Sequence, residues 1–158
     1  MNIDWEDKEP AGIIKEDYLN SFLNKYPNTP QIYIDFIKEV NGGIPKNRSF
    51  TFYNEVEEED IPTEFVCFYP LTNENIPRGP NLKSYYQSVQ YVKENIMDLN
   101  DPENPLIPIG QDIAGNLLCI SLTDKEDCTV YFYDHEYEEL YKLSQDIEGF
   151  INKLGNPN

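Results

Sequence analysis

The sequence predicts a single α+β domain over residues 1–158: a mainly antiparallel, twisted sheet packed by about four helices. Three observations carry this. Helical stripes stand near both ends of the chain instead of alternating regularly with strands. Two apolar, β-rich runs, Leu117–Leu122 and Thr129–Tyr133, are separated only by the polar loop Thr123–Cys128, which is the pattern of a hairpin. Aromatic residues make up 13% of the chain, with 12 Tyr and 8 Phe against 1 Trp, and such side chains fit a pleated surface. A chain of this length buries roughly 68–70% of the surface its unfolded form exposes, enough for one core without staples.

Residues 1–12 are polar and read as a loose N-terminal arm or an edge. Between Lys15 and Tyr26 apolar side chains recur at Tyr18, Leu19, Phe22, Leu23 and Tyr26, a helical stripe that Pro27-Asn28 ends. Thr29-Pro30 predicts an N-cap and first helical position. The helix that follows puts Tyr33, Phe36, Ile37 and Val40 on one face, and Asn41-Gly42-Gly43 supplies a left-handed C-cap. Ser49–Tyr53 and Phe65–Tyr69 read as strands. Between them Glu55, Glu57, Glu58, Glu59 and Asp60 place five carboxylates in six residues, which demands an exposed loop. Pro70–Pro80 is irregular. Asn81–Met97 is a helix with Tyr85, Tyr86, Val89, Val92 and Ile96 on its apolar side, and Asp98–Pro105 is rich in turn formers.

The densest information lies in Leu106–Glu136. Pro108 and Gly110 punctuate the end of a short apolar run, and Gly115-Asn116 marks a turn. The hairpin follows. Both parities of its strands carry apolar groups, so both faces are covered, and Asp134-His135-Glu136 comes at its end. Tyr137–Leu143 adds a strand. Ser144 caps a last helix through Leu154, stopped by Gly155 and Pro157.

Charge narrows the partners. Twelve basic residues face 29 acidic ones, for a net charge of −17. Such a chain repels phosphate backbones and anionic membrane surfaces, which argues against nucleic acid and membrane as partners. A basic protein is the natural partner, although an acidic surface also simply keeps proteins soluble. The three cysteines, Cys67, Cys119 and Cys128, show no metal-type spacing and read as reduced thiols. The hairpin register places Cys119 opposite roughly Phe132, away from Cys128. The N-terminus has no apolar signal segment and no run reaches membrane-span length, so the chain reads as cytoplasmic.

His135 is the only histidine. With Asp134, Glu136 and Asp112 it could serve acid–base or metal chemistry, yet successive strand residues point to opposite faces, which favours a hydrogen-bonding role at the hairpin end. Asp112 and Asn116 bracket a turn whose amides their side chains can hold, with a polar ligand pocket as the alternative. Asp124, Glu126 and Asp127 lack calcium-loop spacing, as does Asp98–Glu103. No nucleotide loop or nucleophile elbow is present, and the chain implies no catalytic residue, cofactor or metal. The run Glu55–Asp60 is either a solvated loop or the patch that meets a partner's Lys and Arg. Exposed pairs are individually weak, so affinity needs anchors such as Tyr53 or Tyr86.

Five motifs, in order, resemble the SUKH superfamily, which spans Smi/Knr-type fungal cell-wall regulators and bacterial polymorphic-toxin immunity proteins. They are the helix Tyr33-Ile34-Asp35-Phe36-Ile37 ending in Asn41-Gly42-Gly43; the run Pro108-Ile109-Gly110-Gln111-Asp112; Gly115-Asn116 before Leu118, Cys119 and Ile120; Val130-Tyr131 leading to Asp134-His135-Glu136; and a final helix with Phe150, Ile151 and Leu154. The likeness covers roughly Asp17–Leu154, with Ala114 standing where a second glycine is common. It implies an α+β fold and a non-enzymatic role: binding and neutralising a cognate toxin, often a nuclease. The acidic charge agrees with a basic toxin as partner. A regulatory scaffold for an endogenous protein is the alternative, and a ligand binder or enzyme at Asp112, His135 and Glu136 a third. Nothing in the sequence sets an oligomeric state.

Overall fold

Apolar β-rich runs separated by turn-forming breaks drive this chain into short strands, the central ones buried on both faces and the outer ones alternating, with amphipathic helices packed against them. The computed structural model describes residues 4–10, 12–72, 94, 99, 101 and 103–155. In chain order these contain β1 (Trp5–Asp7), α1 (Glu16–Lys25), α2 (Gln31–Glu39), β2 (Ile44–Pro45), β3 (Ser49–Asn54), β4 (Glu59–Phe68), β5 (Leu106–Asp112), β6 (Leu117–Ser121), β7 (Val130–Asp134), β8 (Glu139–Ser144) and α3 (Ile147–Ile151). Six strands form one sheet in the order β3-β4-β5-β6-β7-β8, and β1 and β2 form a separate ribbon. Every pairing is antiparallel. The fold is α+β, as the sequence implies. The predicted helix Asn81–Met97, including Tyr86, lies outside the described residues apart from Glu94, as does the predicted irregular run beyond Thr72.

The sheet curls. In a flat sheet β3 and β7 would stand four strand spacings apart, about 19 Å. The rings of Phe52 and Phe132 instead lie 4.4 Å apart, centroid to centroid. Inside the curl, Phe150 of α3 packs edge-on against Phe50 at 5.3 Å and Phe65 at 5.1 Å. Phe65 meets Phe68, which meets Phe36 of α2 at 4.8 Å. One chain of rings thus ties α2 and α3 to the sheet, in the edge-to-face geometries that aromatic quadrupoles favour.

Local details depart from the sequence reading in instructive ways. Part of the expected N-terminal arm is strand: Trp5–Asp7 pairs with β2, and Trp5 packs on Phe36 and Phe68. Thr29 does not cap α2. Its hydroxyl donates to the Tyr26 carbonyl, and Pro30 takes the cap position with no side-chain bond. The last helix is capped by Asp146, not Ser144. Asp146 accepts from the Gly149 amide at 2.7 Å, while Ser144 donates to the Asp146 carbonyl.

Pro108 and Gly110 do not end an apolar run; they lie within central strand β5. The ladder shifts register between them, and a bulge is where a strand tolerates proline. The hairpin register is one residue from expectation, with Cys119 opposite Tyr131 and Leu118 opposite Phe132. The acidic run is not a long loop between separate strands. It is the tight turn Glu55–Glu58 plus the start of β4, because β4 begins at Glu59. Pro62 is accommodated there because that half of β4 pairs only with β3; β5 joins from Phe65 onward.

Candidate functional site

A meander sends alternate turns to the same end, so the β3–β4, β5–β6 and β7–β8 turns gather at one rim of the sheet. The curl then brings the first and last of these together. The Tyr137 hydroxyl in the β7–β8 turn donates to the Glu57 carboxylate in the β3–β4 turn. That carboxylate is the first cause that pushes the Tyr137 phenol up to about 12, with neighbouring Glu136 and Asp134 adding repulsion. The middle turn is tied in by His135, whose Nε2 lies 2.6 Å from the Ala114 carbonyl. A carbonyl only accepts, so Nε2 carries the proton.

Two of these turns are built alike. Asn54 closes β3, and its Oδ1 accepts from the amides of Val56 and Glu57 at 2.9 and 3.0 Å. Asp134 closes β7, and its Oδ1 accepts from the Glu136 amide at 3.0 Å. Each turn ends on a glutamate in the left-handed region, Glu58 at φ 56° and Glu138 at φ 53°.

The third turn is organised by Asp112, which is 0% exposed. Its Oδ1 accepts from the Ala114 amide at 3.0 Å and the Asn116 amide at 2.8 Å. Its Oδ2 accepts from the Asn116 side-chain amide at 3.0 Å and the Thr63 hydroxyl at 2.9 Å. Asn116 uses its own Oδ1 to accept from the His135 backbone amide at 3.1 Å. Gly115 takes φ 86°, which the tight turn requires and a side chain would resist. The network runs from β4 through two turns, and it satisfies a buried carboxylate that would otherwise be costly.

Between these turns lies a cleft of about 170 Å³. Phe52, Ile61, Pro62 and Ala114 give it apolar lining, and Asn54, Thr63, Asn116 and His135 polar lining. Glu57, Asp134, Glu136 and Tyr137 complete it. The exposed carboxylates of Glu55, Glu57, Glu58, Glu59, Asp60 and Glu136 have no ion-pair partner among the described residues; the ion pair that is seen, Arg48 to Glu6 at 3.0 Å, involves none of them.

The structure therefore separates the residues singled out from sequence. Asp112, Gly115, Asn116, Asp134, His135 and Glu136 share the turn end with Glu55–Asp60. The other motif residues do not line the cleft. Asn41 donates to the Gly12 carbonyl and accepts from the Leu71 amide. Gly42 sits at φ 74°, where an added Cβ would lie 2.5 Å from Pro70. Gly43 offers its carbonyl to the Phe68 amide. Pro108 and Gly110 lie at the β5 bulge. The Asp112 carboxylate is sealed, so it shares no solvent-facing chemistry with His135 and Glu136. Among the described residues no group of three or more His, Cys, Asp or Glu could hold a metal ion. All three thiols are free, and burial pushes Cys67 up to about 12 and Cys119 higher still.

Thr63, Asn54 and Tyr137 belong to this site but were not read from sequence. Asn54 carried a signal, an Asx residue opening a turn. Thr63 and Tyr137 carried none, because their partners lie 49 and 80 residues away.

A model of the SMI1 / KNR4 family (SUKH-1) matches residues 14–153. The chain belongs to this family. No curated protein and no solved structure matches it. Membership of the SUKH-1 family supports a protein-interaction role of the immunity or regulatory kind. Among the described residues no helix is long and apolar enough to cross a membrane.

Proposed function

We infer that this SUKH-1 protein is a non-enzymatic bacterial immunity protein that binds and neutralises a cognate basic toxin of the nuclease type, acting in the cytoplasm. The observation that carries the reading is the gathering, at one end of the sheet, of carboxylates from turns far apart in sequence that have no ion-pair partner among the described residues, in a chain of net charge −17. A nuclease must present cationic side chains to phosphates. A preformed anionic surface competes for those side chains, speeds encounter, and blocks the channel once docked.

Co-expression tests the reading. Cells producing the toxin domain encoded beside this protein survive when the protein is present and die without it. Survival in its absence, or no complex at low salt, overturns the proposal. The association rate falls as salt rises, because screening removes the long-range attraction. Replacing His135 with Gln leaves protection intact, since Gln still donates to the Ala114 carbonyl; loss of protection with the fold preserved would instead favour chemistry at the imidazole.

A further inference from the structure

We propose that the cleft between the three turns is the anchor point of this surface and takes one arginine side chain of the partner. The proposal deepens the immunity reading and rests on it for the identity of the partner, but the cleft's preference is testable alone.

Size decides first. Small-molecule sites run from about 300 Å³ upward. A cleft of about 170 Å³ suits one long side chain, not a cofactor. Chemistry decides next. Phe52, Ile61 and Pro62 offer apolar lining, while Glu57 and Glu136 offer exposed carboxylates. One oxygen of Glu57 holds Tyr137, and its other oxygen and both of Glu136 carry no protein hydrogen bond among the described residues. A cleft lined by both apolar groups and two acids matches a side chain with an apolar stem and a cationic head. Arginine fits better than lysine. Its planar fork can bond two carboxylates at once, and it is less strongly hydrated than an ammonium. Val56 and Ile113, the sequence neighbours of the lining residues Glu57 and Ala114, are exposed at 58% and 66%.

The test titrates the full chain with acetyl-Gly-Arg-Gly-amide, following backbone amide shifts by NMR. The lysine and citrulline tripeptides serve as comparisons. Saturable shifts centre on Glu57, Ala114 and Glu136 with the arginine peptide, weaken several-fold with lysine and vanish with neutral citrulline. Glu136→Gln weakens binding about tenfold, the worth of one charge-assisted hydrogen bond. Ile113→Lys weakens it by repulsion, and Glu39→Gln on α2 leaves it unchanged. Shifts scattered over other acids, equal response to lysine, or no saturable shift at the three turns overturns the proposal. Toxin protection that survives Glu136→Gln and Ile113→Lys together would sink the cleft while leaving the immunity reading standing.

Discussion

The Asn41-Gly42-Gly43 junction and the turn end of the sheet both stand out in the sequence, yet they work by opposite means. At the junction the residues are chosen by space. Pro70 lies where a Gly42 side chain would go, Val40 and Trp5 lie where a Gly43 side chain would go, and Asn41 is consumed by two bonds to backbone. At the turn end they are chosen by polarity. Asp112 is sealed and spent on four hydrogen bonds, while the carboxylates around it face water without ion-pair partners among the described residues. The difference teaches that a distinctive motif can hold a fold together or display a surface, and that burial separates the two. Within the turn end alone, Asp112 holds and Glu136 displays.

Substitutions can break this contrast, and the largest effect is expected at Asp112. Asp112→Ala strands the buried backbone and side-chain amides of Asn116 and unpairs the Thr63 hydroxyl, and denaturant unfolding should show a loss of about 3 kcal/mol or more. Gly42→Ala forces a side chain into Pro70 and into left-handed backbone at once. It should cost about 3 kcal/mol by the same measurement. If either change were neutral, the junction and the Asp112 network would be no more structural than the rim. Smaller effects sharpen the rim side. Glu58→Gly and Glu138→Gly relieve left-handed strain and should each stabilise by about 0.5 kcal/mol, since glycine's entropy offsets part of the gain. Equal gains at both would establish the two turns as matched elements.

The Tyr137–Glu57 bond is the last test. The Tyr137 phenol is held above its ordinary value of 10.0, so the neutral hydroxyl is the form the fold prefers. Its contribution is fully present below pH 10.0 and is lost as pH rises towards about 12. In an ultraviolet titration Tyr137→Phe should remove one phenol titrating near 12, and the variant's stability should lose the pH dependence that this group adds in that window. Removal of a phenol titrating at 10.0 would mean that the β3–β4 and β7–β8 turns are not joined in solution.

Much of the scaffold was legible because it depends on neighbours in sequence. The stripe from Tyr18 to Tyr26 and the face Tyr33, Phe36, Ile37 became α1 and α2, since a helix repeats over a few residues. The Gly115-Asn116 turn was legible because left-handed backbone and a short amide side chain leave a local trace. What misled was competition. Thr29 had a nearer acceptor in Tyr26 than the helix end, Asp146 outcompeted Ser144 as a cap, and a bulge let Pro108 enter a central strand. The acidic run has the sequence pattern of a loop because five carboxylates in six residues cannot enter a core, but exposure does not prevent pairing. Glu59 and Asp60 lie in a strand at the sheet's rim, where pairing and exposure coexist.

The amino-acid order by itself determined the charge of −17, the segments able to bury an apolar face, the class of fold and the family likeness. These follow from composition and short-range periodicity. Only the tertiary structure decided which carboxylate is sealed and which are displayed, and that turns 80 residues apart share one cleft. The reason is the curl: Phe50 and Phe52 of β3 meet Phe132 of β7, with Phe150 of α3 packed against Phe50, and no local pattern encodes a closure between segments so far apart in sequence.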